Sequence, residues 1–301
     1  MNPRSIDKLS RCVVQVTQYG RMNDGSRKEI GIATAFIILH KSVHFLVTNH
    51  HVVSGYRLGT KQFAGTHSTV PVELQFEVYV KESEGPLSYK YDFRIDIERG
   101  AGESWLEHPV LNNNCDVVAI PLSSTFETNQ LNDCKIKLEN EDWSLDSLRV
   151  MDQLFVVGYP MPIKKLLSDF PIYKAATVAS EPFGSELGTQ FYADTKTKPG
   201  MSGSLVIKHE RLAVESFGQS SLTLSDGRRT LIGVYSGRAE NAKDAYEAEL
   251  GLIWPIQDFL MPILDLESAT QVKPKMQSRL QHQSWESEEI GWEVCPPRTT
   301  N

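Results

Sequence analysis

Apolar residues recur along much of this chain with a period of two. Val72, Leu74, Phe76, Val78 and Val80 alternate with mostly polar neighbours, and Tyr89, Tyr91, Phe93, Ile95 and Ile97 repeat the pattern. Such alternation puts one face of a strand on a core and the other toward water. Gly31 to Leu39 and Val43 to Thr48 are shorter apolar, partly β-branched runs separated by His40-Lys41-Ser42, which predicts a hairpin of buried strands. Further strands are predicted at Leu154–Val157, ended by Gly158-Tyr159-Pro160, and at Ala175–Val178, Gln190–Ala193 and Leu205–Ile207. Asp226-Gly227, between Ser220–Leu224 and Thr230–Tyr235, predicts a second hairpin.

Helical period is confined to two segments. One is a short piece near Ile6–Leu9. The other is Pro255–Leu264, where Ile256, Phe259, Leu260, Ile263 and Leu264 share a face and Pro262 makes the helix short or kinked. The fold class is therefore all-β, with many short strands and a short C-terminal helix. The stretch from Asn112 to Trp143 is the natural seam, giving halves at 1–135 and 136–267. Residues 268–301 are polar and aperiodic, and read as a tail that is disordered or packs irregularly. Trp285, Ile290 and Trp292 in that tail either pack back on the body or meet a partner.

Composition narrows the classes of function. A chain of 301 residues can bury a core without covalent staples. Lys plus Arg is 31 against 38 Asp plus Glu, so a broad nucleic-acid footprint is not expected. No segment has the pattern of a signal peptide or of a membrane span, so no membrane partner is expected. The four cysteines, Cys12, Cys115, Cys134 and Cys295, have neither paired nor zinc-ligand spacing. No metal, redox group or other cofactor is expected, and sparse cysteines point to a reducing compartment, the cytoplasm.

Three patterns could carry chemistry: Val47-Thr-Asn-His-His51-Val-Val53 at a strand end, Asn114-Cys-Asp116-Val-Val-Ala-Ile120 opening a strand, and Pro199-Gly-Met-Ser202-Gly-Ser204 in a tight turn. Singly, each has a plain structural reading as a strand-end histidine, a turn acid or an ordinary glycine turn. Together they supply what acyl transfer from serine needs: a nucleophile, a base, an acid that orients the base, and two N–H groups for the oxyanion. Gly200 and Gly203 allow a tight backbone that exposes the Ser202 hydroxyl and the N–H groups of Gly200 and Ser202. The order His, Asp, Ser separates this chain from the subtilisin and α/β-hydrolase orders.

At these residues the chain resembles the trypsin-like serine peptidases of the chymotrypsin fold, in their cysteine-poor microbial branch. That branch includes the high-temperature-requirement proteases and the glutamyl endopeptidases. The likeness lies in Thr48–Val53 (TNHHVV), Cys115–Leu122 (CDVVAIPL), Val156–Pro160 (VVGYP), Pro199–Val206 (PGMSGSLV), Ile232–Gly237 (IGVYSG) and Gly251–Leu264, and spans roughly residues 10–265. It implies two antiparallel six-stranded β-barrels. In catalysis it implies His51 as general base, Asp116 as its orienting acid, Ser202 as nucleophile, and Gly200 and Ser202 as oxyanion hole. Ser236 and Gly237 would lie on the strand that pairs with a bound peptide. The expected activity is serine endopeptidase action on protein or peptide substrates. The alternative is a latent or inactive peptide-binding module controlled by a regulatory protein partner or by the tail.

The departures are informative. Val52 follows the base where secreted members often carry a disulfide cysteine. Met201 precedes the nucleophile where many animal members have an aspartate for a freshly cut N-terminus, so activation by that route is not expected. The residues after Leu264 are too few for the PDZ module of the high-temperature-requirement enzymes. In this fold the primary pocket lies between the residues before the nucleophile and the strand ending at Ser236-Gly237. Thr197 stands where glutamyl endopeptidases use a threonine against an acidic side chain, but Tyr235 replaces their histidine. Lys196 is either a buried partner for an acidic side chain or, with Lys198, a solvated loop charge.

Overall fold

The computed structural model describes residues 6–64, 68–81, 87–97, 104–122, 131, 134–161, 170–184, 189–210, 213–215, 222–224, 227–238, 250–266 and 275–281. Among the described residues the fold is all-β with three short α-helices. It opens with α1 (Lys8–Cys12), whose N-cap Asp7 accepts from the Leu9 N–H at 2.8 Å. This helix starts two residues later than the apolar pattern predicts, with the Asp7 carboxylate at its N-cap.

The first half is a single curled sheet. It contains β1 (Val13–Arg21), β2 (Arg27–His40), β3 (Val43–Thr48), β4 (Pro71–Lys81), β5 (Leu87–Asp96), β6 (Val118–Leu122) and the short β7 (Ile136–Lys137). The predicted β2–β3 hairpin forms, and its turn is tighter than the three-residue spacer implied. His40 pairs with Val43, and Lys41 and Ser42 both take positive φ, as a two-residue turn requires. Cross-strand partners Phe76 and Phe93 stack with ring centroids 5.1 Å apart.

A closed six-stranded barrel was the expectation for this half, and the structure departs from it. Among the described residues the sheet is open, with eight strands: Lys275–Gln281 (β16) at one edge, then β5-β4-β1-β2-β3-β6, with β7 beside β2. The extra strand, β16, comes from the segment expected to be an irregular tail, and pairs antiparallel with β5 along its length. The β5 edge is thus taken by the tail. Trp285, Ile290, Trp292 and Cys295 lie outside the described residues.

The second half is a closed six-stranded barrel. Its strands are β8 (Gln153–Gly158), β9 (Ile172–Val178), β10 (Phe191–Asp194), β11 (Ser204–Glu210), β14 (Arg228–Arg238) and β15 (Leu250–Pro255), in the order β10-β15-β14-β11-β8-β9. Between β11 and β14, β12 (Ala213–Glu215) pairs with β13 (Leu222–Leu224) as a separate two-stranded ribbon. Among the described residues, β13 pairs with β12 and not with β14, unlike the hairpin predicted at Asp226-Gly227. Gly227, at φ +74°, instead fits tightly against the end of β11, where a Cβ would stand 2.3 Å from the Glu210 carbonyl oxygen.

The unbroken apolar runs are explained by a core that both halves share. Along β2, Ile37 faces the core of the first half, while Phe36 and Ile38 face the shared core. Along β11, Val206 faces the barrel interior, while Leu205 and Ile207 face the shared core. These strands are buried on both faces, so polar alternation vanishes. The C-terminal segment completes this core. A π-type turn at Ile256–Leu260 leads into α3 (Met261–Leu264), with Pro262 in the first turn where its missing N–H costs nothing. Trp254 and Phe259 meet there edge to face at 4.8 Å.

Polar links also cross between the halves. Arg229 pairs with Asp7, Tyr173 OH bonds Ser10 Oγ at 3.0 Å, and His40 Nε2 lies 3.0 Å from Asp265 Oδ1. No helix among the described residues is long and apolar enough to cross a membrane.

Candidate active site

His51 and Asp116 are brought together by strand register. β3 pairs antiparallel with β6, and Thr48 stands opposite Val118. The residues just beyond each strand end, Asn49–His51 and Asp116–Val117, must therefore meet. The chain turns at Asn49 into α2 (His50–Ser54), which Gly55 closes at φ +76° with its N–H on the His51 carbonyl. This helix is a single turn, too short to show a helical period in the sequence. Its Val52 and Val53 are buried in the core of the first half, which turns His51 toward the cleft.

Asp116 is 2% exposed and its carboxylate is densely bonded. Oδ1 accepts the His51 backbone N–H at 2.9 Å. Oδ2 lies 2.7 Å from His51 Nδ1 and also accepts from Ser236 Oγ. Asn49 Nδ2 donates to the Asp116 carbonyl oxygen at 2.7 Å. An ionised carboxylate only accepts, so Nδ1 carries the proton and Nε2 is left with the lone pair a base needs.

Ser202 arrives from the other half on the turn before β11. Two glycines make that turn possible. Gly200 has φ +94°, and a Cβ there would stand 2.4 Å from the Tyr159 carbonyl oxygen. Gly203 has φ +83°, and a Cβ would stand 2.0 Å from the Thr34 carbonyl oxygen. Met201 is fully buried in the barrel core, so an apolar side chain anchors the turn. Backbone bonds use the N–H groups of Met201, Gly203 and Ser204, whose acceptors are Lys198, Tyr235 and Met201. Among the described residues, the N–H groups of Gly200 and Ser202 have no backbone acceptor.

His51, Asp116, Ser202, Ser236 and Gly237 all line one cavity of about 730 Å³. Gly237 borders the serine closely, since a Cβ there would stand 3.6 Å from Ser202 Oγ. Arg57, Leu58, Thr60, Gln62 and Ala64, after α2, also line the cavity.

The remaining candidates separate by side. From Phe191 to Lys198 burial alternates: Thr195 and Thr197 point inward, and Lys196 and Lys198 are exposed. Lys198 lines the cavity, whereas Lys196 does not. Thr197 Oγ1 and the Tyr235 hydroxyl are hydrogen-bonded to each other, and both side chains are buried. The Tyr235 ring lies over Gly251, where a Cβ would stand 2.2 Å from a ring carbon. At Thr197 and Tyr235 the cavity lining is therefore a buried pair of hydroxyls, with the neighbouring Lys196 and Lys198 exposed.

Sequence reasoning missed Asn49, the bond from Ser236 to Asp116, and the lining residues Tyr192 and Leu252. Only the strand-end position of Asn49 offered a signal. The described thiols lie in the core. Cys12, Cys115 and Cys134 are buried and form no disulfide with one another, and burial pushes Cys12 and Cys115 up to about 12, so these two stay protonated.

No protein-family model matches this chain, and no curated protein matches it. The closed barrel and the curled half-barrel are compatible with a chymotrypsin-like fold.

Proposed function

We propose that this chain is a serine endopeptidase. The observation that carries the reading is the 2.7 Å contact between His51 Nδ1 and the buried Asp116 carboxylate, in the same cavity as Ser202. In this reading the Ser202 hydroxyl oxygen attacks a peptide carbonyl carbon while its proton passes to His51 Nε2. The carbonyl π electrons move to oxygen, where the N–H groups of Gly200 and Ser202 stabilise the negative charge. Collapse breaks the C–N bond, and His51 returns the proton to the departing amine. Water then attacks the Ser202 ester with His51 again as base, releasing the acid and restoring the serine.

Asp116 holds the Nδ1 tautomer and stabilises the imidazolium. Ser236-Gly237 offers its backbone to an extended peptide. Lys198 and Arg57 on the cavity lining favour an acidic residue near the scissile bond. The buried, reduced thiols of Cys12 and Cys115 support placement in the cytoplasm.

The test is labelling with a fluorophosphonate probe and hydrolysis of a peptide library. Ser202 is expected to be the labelled residue, and Ser202→Ala to lower kcat by roughly 10⁴–10⁶. Folded protein that neither labels nor hydrolyses any peptide would leave the chain as a peptide-binding module.

A further inference from the structure

Thr34 is a hydroxyl residue inside the apolar run Ile32–Leu39, and it is fully buried. A buried hydroxyl needs partners. Thr34 finds all but one of them in the other half of the molecule.

Pairing between β2 and β3 runs only as far as Phe36 opposite Val47. At Thr34 the vacant edge of β2 is filled by the nucleophile turn. The Thr34 N–H donates to the Ser202 carbonyl oxygen at 2.8 Å. Its hydroxyl donates to the Gly200 carbonyl oxygen at 2.8 Å and accepts the Tyr159 N–H at 3.0 Å. Its carbonyl oxygen accepts from Thr48 Oγ1 at 2.8 Å.

These bonds set the direction of the N–H groups that face the cleft. In a trans peptide the C=O and N–H point opposite ways. Met161 N–H holds the Pro199 carbonyl at 2.6 Å, which turns the Gly200 N–H away from Met161. Ser204 N–H holds the Met201 carbonyl at 3.0 Å, which fixes the Ser202 N–H in the same manner. The peptide between them, Gly200–Met201, sets the angle from one N–H to the other. Its carbonyl is the one the Thr34 hydroxyl holds. Gly200 itself offers no restraint, because glycine populates both signs of φ.

We propose that Thr34 is a positioning residue whose hydroxyl locks the Gly200–Met201 peptide and so aligns the two N–H groups for the oxyanion. This inference rests on the serine-peptidase reading of the same site. It assigns to a residue of the first half the task of shaping the turn carried by the second.

The experiment compares Thr34→Val, which keeps the shape and loses the hydroxyl, with Thr34→Ser, which keeps the hydroxyl. Thr34→Ala replaces the valine variant if that one does not fold. T34V is expected to lower kcat by about tenfold to 10²-fold with KM little changed, as for a misaligned oxyanion donor, and T34S to retain most of the wild-type rate. An unchanged kcat in T34V, or an equal loss in T34S, overturns the proposal. Amide hydrogen exchange across residues 199–203 gives a readout that needs no activity: faster exchange in T34V but not in T34S is expected. If wild-type protein fails to label with fluorophosphonate, the peptidase reading fails. The exchange result then decides separately whether Thr34 fixes the turn, and equal exchange in all three proteins would refute it.

Discussion

Ser236, on the second half, donates its hydroxyl to the carboxylate of Asp116, on the first, at the same oxygen that faces His51 Nδ1. The acid is thus held from both halves at once. Ser236→Ala removes one of three donors to a buried carboxylate. A hydrogen bond to a charged group contributes roughly 1.5–3 kcal/mol, so urea unfolding of S236A should show a loss in that range, with a lower hydrolysis rate. Unfolding curves that superimpose on wild type would show that Ser236 holds nothing.

Tyr235 is expected to limit the side chain accepted beside the scissile bond. Its ring fills the space over Gly251, and its hydroxyl bonds Thr197. Tyr235→Ala should open this wall and shift cleavage of a peptide library toward larger residues. A library profile identical to wild type would remove Tyr235 from specificity.

The tail has a structural task. β16 covers β5, and an exposed strand edge is a template for pairing with another chain. Deleting residues 268–301 should make the protein self-associate as concentration rises, read by light scattering during gel filtration. A truncated protein that stays monomeric at every concentration would count against this role. Activity measured on the same sample tests whether the tail also governs the cleft.

Stability should fall in mild acid. Burial, aided by the Lys135 charge, lowers His44 from 6.5 to about 4, and burial also lowers His108. A histidine with a depressed folded pKa takes up its proton more readily when unfolded. Its contribution is therefore complete above about 6.5 and is lost as pH falls toward about 4. Chemical unfolding at pH 7 and at pH 5 should show the loss, and His44→Gln should reduce the difference. An equal difference in both proteins would place the pH dependence elsewhere.

Strands with a solvated face were legible as alternation, as in Val72–Val80, and strands buried on both faces as unbroken runs, as in Leu205–Ile207. β16 was not legible, because a polar edge strand is held by backbone bonds that leave no apolar period. Neither was the pairing of β13 with β12, since local turn chemistry at Asp226-Gly227 does not say which strand lies across. Closure of the first half depends on long-range pairing, and no local pattern separates an open sheet from a barrel. At the candidate site, the three motifs that line the cavity were readable as motifs. Thr34 was visible only as a polar residue in an apolar strand, and its partners lie far along the chain, at Gly200 and Ser202.

The shared core has a consequence for how the protein can be made and divided. Phe36, Ile38, Phe45 and Val47 on one half rest against Val157, Leu205, Ile207 and Val234 on the other. Either half expressed alone would present that face to water, and a large uncovered apolar surface is an invitation to aggregate. During synthesis the first half must wait, sticky and incomplete, until the second emerges. The halves are thus expected to fold as one unit, and a cleft lined by both is complete only once the last strand of the barrel is in place.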